Sequence, residues 1–260
     1  MKNKLKIVGI QAALVWENPE QNIAFFEEKI NTLEEDLDLI VLPEMCTTGF
    51  TMHPKKVAEK MDGLSVSWMQ KIAKEKQTAI CGSLVISTAK KFYNRFVFVH
   101  ATGEIETYNK RHTFTLAGED KVYTSGTKKI IIKYKGWKIC PLICYDLRFP
   151  VWARNTENYD LLIYVANWPV ARIKAWDTLL KARAIENMSY VIGINRTGKD
   201  GNNYTYSGNS VLLDSLGETL SSLKENEVGI VSAFFVKSEQ DQIRKKLGFL
   251  RDKDSFIISK

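Results

Sequence analysis

Histidine and cysteine are both scarce in this chain. Three histidines (His53, His100, His112) and four cysteines (Cys46, Cys81, Cys140, Cys144) stand among 260 residues. No CxxC pair and no Cys/His spacing of a structural zinc site occurs, and so few cysteines cannot build a disulfide scaffold. No metal and no cofactor are expected. Long apolar runs are missing as well, since nothing approaches the roughly 18 residues needed to span a bilayer. The apolar run after Met1-Lys2-Asn3-Lys4-Leu5-Lys6 is broken by Gln11 and Trp16 and lacks a small-residue cleavage site, unlike a signal peptide. No Pro/Gly/Ser-rich linker and no trustworthy internal repeat divides the chain, so residues 1–260 read as a single domain. The expectation is a soluble protein of the reduced cytoplasm with no membrane partner.

Lys plus Arg number 37 against 30 Asp plus Glu, a formal net charge of +7. The two signs are interspersed almost everywhere, and no RNA-binding or helix-turn-helix signature is present. A nucleic-acid partner is therefore not expected. Hydrophobic residues make up 45% of the chain, which excludes disorder. A chain of this length buries roughly three quarters of its unfolded surface, enough for a large core.

Apolar β-rich runs alternate with amphipathic helical segments. Ile7 to Ala12 reads as a strand, and Pro19 to Asp36 as a helix with Asn18 as N-cap and Pro19 at the first helical position. Leu39-Ile40-Val41-Leu42-Pro43 is a short strand apolar on both faces. A helix over Ser65 to Lys76 and a strand over Thr78 to Ser87 close this first unit. Hairpin signals come next, around Ala101-Thr102-Gly103, Tyr134-Lys135-Gly136 and Ser215-Leu216-Gly217. Helices are expected over Phe149 to Glu157, Arg172 to Asn187 and Ser238 to Leu247, and strands over Leu161 to Ala166, Tyr190 to Ile194 and Val228 to Phe235. Several hairpins do not fit a purely parallel doubly wound sheet. Two β-sheets packed face to face, each covered by helices, fit better.

Three residues at strand ends stand out. Cys144 closes the strand Lys138 to Ile143, just before a helix-like stretch. There the helix dipole and free N–H groups would lower a thiol pKa, and the sharp turn suits a nucleophile. The alternative is one more buried small hydrophobe, as Cys81 is expected to be. Glu44 comes directly after Val41-Leu42-Pro43, where partial burial would raise its pKa and suit it to proton transfer; an exposed loop glutamate is the alternative. Lys110 ends the strand Glu104 to Asn109, as an active-site cation or as a solvated lysine beside Arg111 and His112.

The arrangement around these residues resembles the nitrilase (carbon–nitrogen hydrolase) superfamily over nearly the whole length. The glutamate motif is Leu42-Pro43-Glu44-Met45. The lysine motif is Tyr108-Asn109-Lys110-Arg111-His112. The cysteine motif is Ile143-Cys144-Tyr145-Asp146-Leu147-Arg148-Phe149-Pro150. Ala166-Asn167-Trp168-Pro169 and Lys181 to Asn187 match as well. Five matches in the right order are far more specific than one short pattern. The resemblance implies an α/β fold, a four-layer α-β-β-α sandwich of two mixed sheets face to face with helices outside. It also implies a Glu44–Lys110–Cys144 triad that hydrolyses amides through a thioester, with Glu119 in Ala117-Gly118-Glu119-Asp120 as a second glutamate holding Lys110. The Tyr145 backbone N–H would help bind the oxyanion. Within the superfamily the resemblance narrows to bacterial omega-amidases, through Thr48-Gly49-Phe50, Ala117 to Lys121, and Thr197 to Gly201. It implies cleavage of the terminal amide of 2-oxoglutaramate or 2-oxosuccinamate, and at least a homodimer. Other family amidases, or a hydrolase of N-carbamoyl amino acids, are the alternatives, with a non-catalytic scaffold member further off.

The far carboxylate of such a substrate needs a cationic partner, and Arg172 is the candidate. Phe50 and Trp168 either wall a narrow pocket or belong to the core. Arg148 is expected to brace the cysteine loop through a carboxylate. A papain-like reading would require His112 as the base. The segment Arg251 to Lys260, with Phe256, Ile257 and Ile258 among polar residues, is expected to dock on this chain or on a partner subunit.

Overall fold

The computed structural model describes residues 2–34 and 36–258. The chain opens with β1 (Lys4–Gln11), α1 (Pro19–Asn31) and β2 (Leu39–Val41). Asn18 caps α1 by accepting the Gln21 N–H at 3.1 Å. A short α2 (Pro54–Val57) and α3 (Leu64–Glu75) lead to β3 (Ala79–Thr88), β4 (Lys91–Val99) and β5 (Ile105–Asn109). The middle of the chain contributes α4 (Glu119–Val122), β6 (Ile132–Tyr134), β7 (Trp137–Ile143), α5 (Pro150–Ala153), β8 (Leu161–Ala166) and α6 (Ile173–Asn187). The remainder is β9 (Tyr190–Asn195), β10 (Thr197–Lys199), β11 (Thr205–Ser207), β12 (Val211–Leu213), β13 (Thr219–Ser222), β14 (Gly229–Val236) and α7 (Lys237–Leu247).

Two six-stranded sheets form, in the orders β14-β1-β2-β3-β4-β5 and β13-β12-β9-β8-β7-β6. Each has a parallel centre and antiparallel flanks: β1, β2 and β3 run parallel in one, β7, β8 and β9 in the other. The strand alternation decides the layers. Ile7, Leu39, Val41, Ala79, Cys81, Phe96 and Phe98 face the second sheet in one core with Ile139, Ile163 and Ile192. Their neighbours of opposite parity, Ile10, Ile40, Ile80 and Val97, pack on Phe26 and Ile30 of α1 and on Met69 and Ile72 of α3. On the far side, α6 lies so close to β9 that a Cβ on Gly193 would stand 2.4 Å from Leu180 Cδ1. The architecture is therefore the expected α-β-β-α sandwich of two mixed sheets.

The differences are local. The helix expected to reach Asp36 ends at Asn31; Glu35 lies outside the described residues. The helix expected over Phe149 to Glu157 is one turn, Pro150–Ala153, because the chain beyond it is held by Asn155, whose amide bonds the carbonyls of Tyr159 and Asn187. A short hairpin, β10–β11, not expected from the sequence, follows β9. In the C-terminal segment Phe256 and Ile258 are partly exposed and Ile257 is almost fully exposed, so it docks on this chain only partly; Ser259 and Lys260 lie outside the described residues.

Candidate functional site

Glu44, Lys110, Cys144 and Asn167 each lie just beyond the end of β2, β5, β7 or β8. Parallel strands of adjacent sheets deliver their C-terminal ends to one rim, so residues far apart in sequence meet there. Lys110 Nζ donates to Glu44 Oε1 at 2.8 Å and to Glu119 Oε2 and Oε1 at 2.9 and 3.1 Å. All three side chains are buried, at 0–1% exposure. Asn94, on β4, donates to Glu44 Oε1 at 2.7 Å and to Glu119 Oε1 at 3.2 Å. The other Glu44 oxygen, Oε2, accepts the Asn167 backbone N–H at 2.7 Å. Glu119 Oε2 also accepts the Phe114 N–H at 2.5 Å.

The charges here do not balance: one ammonium faces two buried carboxylates. Burial alone would lower the Lys110 pKa, but Glu119 and Glu44 outweigh it and hold the ammonium above its ordinary value. Burial raises Glu119, with Lys110 opposing and Glu44 adding to the rise. Cys144 is pushed well above the usual thiol range, first by burial and then by the Glu44 carboxylate, with Lys110 pulling the other way. The sequence expectation of a dipole-lowered thiol is therefore corrected. Cys144 opens only a single 3₁₀ turn, Cys144–Arg148, and the buried anionic surroundings outweigh the few N–H groups of that turn. A thiol held in this form needs a base, and Glu44 stands beside it.

The turn that presents Cys144 is strained and tied down. Cys144 has φ +44°, in the left-handed region that non-glycine residues avoid. Asp146, fully buried, accepts the Ile143 N–H at 3.0 Å and the Tyr108 hydroxyl at 2.8 Å. It also accepts the His112 backbone N–H and meets His112 Nδ1 at 2.8 Å. Asp146 thus stitches the cysteine turn to the lysine strand. His112 is committed to Asp146 and stacked on Phe149 at 3.7 Å, which leaves it unsuited to the papain-like role. Arg183, not Arg148, braces this loop, donating to the Leu147 carbonyl at 2.6 Å.

A pocket of about 410 Å³ opens on Cys144. Phe50, Tyr145, Trp168 and Arg172 all line it. Phe50 lies 5.1 Å from Lys110 Nζ, and Arg172 packs 5.1 Å over Phe114. Trp168 is 3% exposed and belongs to the core as well as the wall. Asn195 holds its backbone from both sides, at 2.7 and 2.9 Å. Arg148 departs from its expected bracing role: it lines the pocket with its guanidinium 5.0 Å over Trp168. Among the described residues, neither Arg148 nor Arg172 forms an ion pair. The pocket thus joins aromatic walls and two arginines, with Asp200 also in its lining, to the Cys144 thiol, behind which the buried Glu44–Lys110–Glu119 cluster lies.

The structure therefore brings together Glu44, Lys110, Glu119, Cys144, Tyr145, Phe50, Trp168 and Arg172. Sequence reasoning missed Asn94 and the separate part played by Asn167. Asn94 sits in Phe92-Tyr93-Asn94-Arg95, a polar residue on the same face as the buried Phe96 and Phe98, and that break in apolar parity is the one signal of it. Asn167 Oδ1 is buried and meets no hydrogen-bond donor among the described residues, while its Nδ2 donates to the Glu44 carbonyl at 2.6 Å.

Comparison with known proteins bears on the family and the fold. A family model described as carbon–nitrogen hydrolase matches residues 6–244. The chain is 40% identical over 254 residues to Omega-amidase YafV of Yersinia enterocolitica, covering 98% of each protein. It is 33% identical to a 2-oxoglutaramate amidase of Bacillus subtilis, covering 96% of this chain and 97% of that one. Among solved structures, a carbon–nitrogen hydrolase superfamily protein of Xanthomonas campestris, crystallised with an arsenic adduct in its active site, superposes with a TM-score of 0.96. It is 36% identical and covers 99% of this chain and 100% of its own.

Proposed function

This chain belongs to the carbon–nitrogen hydrolase family, and from that premise we propose that it is an omega-amidase. Its substrates are short 2-oxo dicarboxylic acid monoamides, 2-oxoglutaramate or 2-oxosuccinamate, cleaved to the 2-oxo diacid and ammonia. The observation that carries this reading is a thiol, backed by a buried carboxylate–lysine cluster, opening into a pocket lined by two arginines that form no ion pair among the described residues.

Cys144 attacks the amide carbon while Glu44 takes the thiol proton. The tetrahedral oxyanion is met by the Lys110 ammonium and the Tyr145 backbone N–H. Glu44 then protonates the departing ammonia, leaving a thioester, and later draws a proton from the hydrolytic water. Glu119 acts on Lys110, fixing where its charge points. The substrate carboxylate pairs with Arg172, and Arg148 on the same wall adds a second cation; guanidinium suits a planar carboxylate. Phe50 and Trp168 keep the chain between dry and narrow. The four cysteines are all free and buried, which fits a reduced cytoplasmic setting. Among the described residues no helix is long and apolar enough to cross a membrane. The catalytic unit is the whole chain as one domain, assembled at least as a homodimer.

The test is an ammonia-release screen comparing 2-oxoglutaramate, glutamine, a carbamoyl amino acid and a nitrile. The 2-oxo amide is turned over fastest. A large preference for the nitrile or the carbamoyl compound overturns the omega-amidase reading while leaving the thiol chemistry standing.

A further inference from the structure

The two glutamates that share Lys110 raise a physical problem. Both carboxylates are fully buried, both touch the same ammonium, and one positive charge cannot neutralise two negative ones. Like charges at this separation ordinarily force a proton onto one member, and a protonated Glu44 could not accept the thiol proton. We propose that Asn94 is the positioning residue that holds Glu44 and Glu119 together around Lys110 and orients Glu44 for its work on Cys144.

The Asn94 amide has two N–H bonds, and Nδ2 reaches Glu44 Oε1 at 2.7 Å and Glu119 Oε1 at 3.2 Å, one proton for each carboxylate. Its orientation is not free. Ser83 Oγ accepts the Met45 backbone N–H at 2.8 Å, so its own hydrogen is left to donate to Asn94 Oδ1, at 2.8 Å. That fixes the oxygen of Asn94 toward Ser83 and the nitrogen toward the glutamates. A neutral donor held this way favours the charged form of each acceptor. Glu44 Oε1 accepts from two donors, Asn94 and Lys110, whereas Oε2 accepts from the Asn167 N–H at 2.7 Å and keeps a lone pair for a proton. The Asn94 backbone carbonyl also accepts the Lys110 N–H at 2.9 Å, which couples the position of the lysine to the same residue. At 1% exposure no water replaces these bonds at low cost.

This proposal rests on Glu44 serving as the base for Cys144, so the experiment tests the two separately. The rate of Cys144 carboxamidomethylation by iodoacetamide is followed against pH by mass spectrometry, beside turnover of 2-oxoglutaramate. In the parent protein the rate rises along an acid limb, and Glu44→Gln abolishes that limb. If Glu44→Gln leaves the limb in place, the base assignment falls and the Asn94 proposal with it. Asn94→Leu, which removes the two donors at similar volume, moves the limb up by about one pH unit and lowers kcat near neutrality roughly tenfold, with KM nearly unchanged. Ser83→Ala leaves Asn94 free to turn over, and moves the limb the same way by less. A limb that superimposes on the parental one in Asn94→Leu overturns the proposal, even where Tm falls. If Asn94→Leu does not fold, Ser83→Ala decides: a shifted limb supports the proposal, and an unshifted one overturns it.

Discussion

The three-residue strand β2 has a buried carboxylate at each end. Asp38 precedes it and Glu44 lies just beyond it, after Leu42 and Pro43, at 1% and 0% exposure. Their surroundings differ in every respect that matters to chemistry. Asp38 meets two lysines, Lys2 at 2.7 Å and Lys135 at 2.6 Å, whose side chains are 48% and 34% exposed. It also accepts the Lys6 backbone N–H. Burial would raise its pKa, but these donors outweigh it and hold the carboxyl below its ordinary value. The positive charge is in excess there and is shared with water. At the Glu44 end the negative charge is in excess, the cation is itself buried, and a thiol and a pocket lie alongside. Burial of a carboxylate therefore does not mark a site. The mark is a charge imbalance closed off from solvent and facing open space.

The comparison breaks most sharply at Glu44. Glu44→Gln removes the base and lowers kcat/KM by roughly 10²–10⁴, measured by ammonia release. It also relieves the excess of negative charge, so Tm in a thermal melt stays at or above the parental value. Lys110→Met is next. It deletes an oxyanion donor and costs about 10²–10³ in kcat, and it leaves two buried carboxylates without their cation. Glu119, already held above its ordinary value by burial, loses the ammonium that opposes the rise, so the variant is relatively more stable at low pH and loses that stability as pH rises through the raised value. Thermal melts at about pH 5 and pH 8 test that sign.

The outer pocket gives a smaller effect of a different kind. Arg172→Gln and Arg148→Gln each raise KM for 2-oxoglutaramate by about tenfold, the loss of one charge-assisted hydrogen bond of roughly 1.5 kcal/mol. They leave the rate of Cys144 alkylation unchanged, which separates substrate recognition from the chemistry at the floor.

The two ends of β2 were not equally legible in the sequence. The strands ending at Glu44, Lys110 and Cys144 stood out because short apolar runs stop at a polar residue, and the ordered motifs then carried the layers and the triad. Asp38 was invisible as a buried ion pair, since Lys2 and Lys135 come from segments whose approach only the folded sheets determine. Asn94 was hidden for a related reason. A single polar residue within a strand acquires meaning only from what lies across from it, and its partners are 50 and 25 residues away. The Cys144 thiol departs from expectation because local sequence displays only the adjoining turn, whereas the carboxylates that push the thiol up arrive from distant strand ends. Arg148 departs for the same reason: its neighbour Trp168 lies on another strand end.

The smallest effect on activity and the cleanest contrast comes from Asp38→Asn. Because Asp38 is held below its ordinary pKa, it contributes stability that is complete above the unfolded value of about 3.9 and disappears as pH falls through the lowered folded value. Lys135 is held above its ordinary pKa, with Asp38 outweighing the opposing effect of burial, so its contribution is complete below about 10.4 and is lost at higher pH. Breaking a fully buried pair costs about 3–5 kcal/mol. Here the lysines reach water, and asparagine still accepts the Lys6 N–H, so the cost near neutrality falls to about 1–2 kcal/mol, or a drop in Tm of a few degrees. The gap between parent and variant narrows below about pH 4, while kcat and KM for 2-oxoglutaramate stay within a factor of about two. A large loss of kcat in Asp38→Asn would mean that the two ends of β2 are coupled through its three residues, and that Glu44 depends on an ion pair at the far end of the strand.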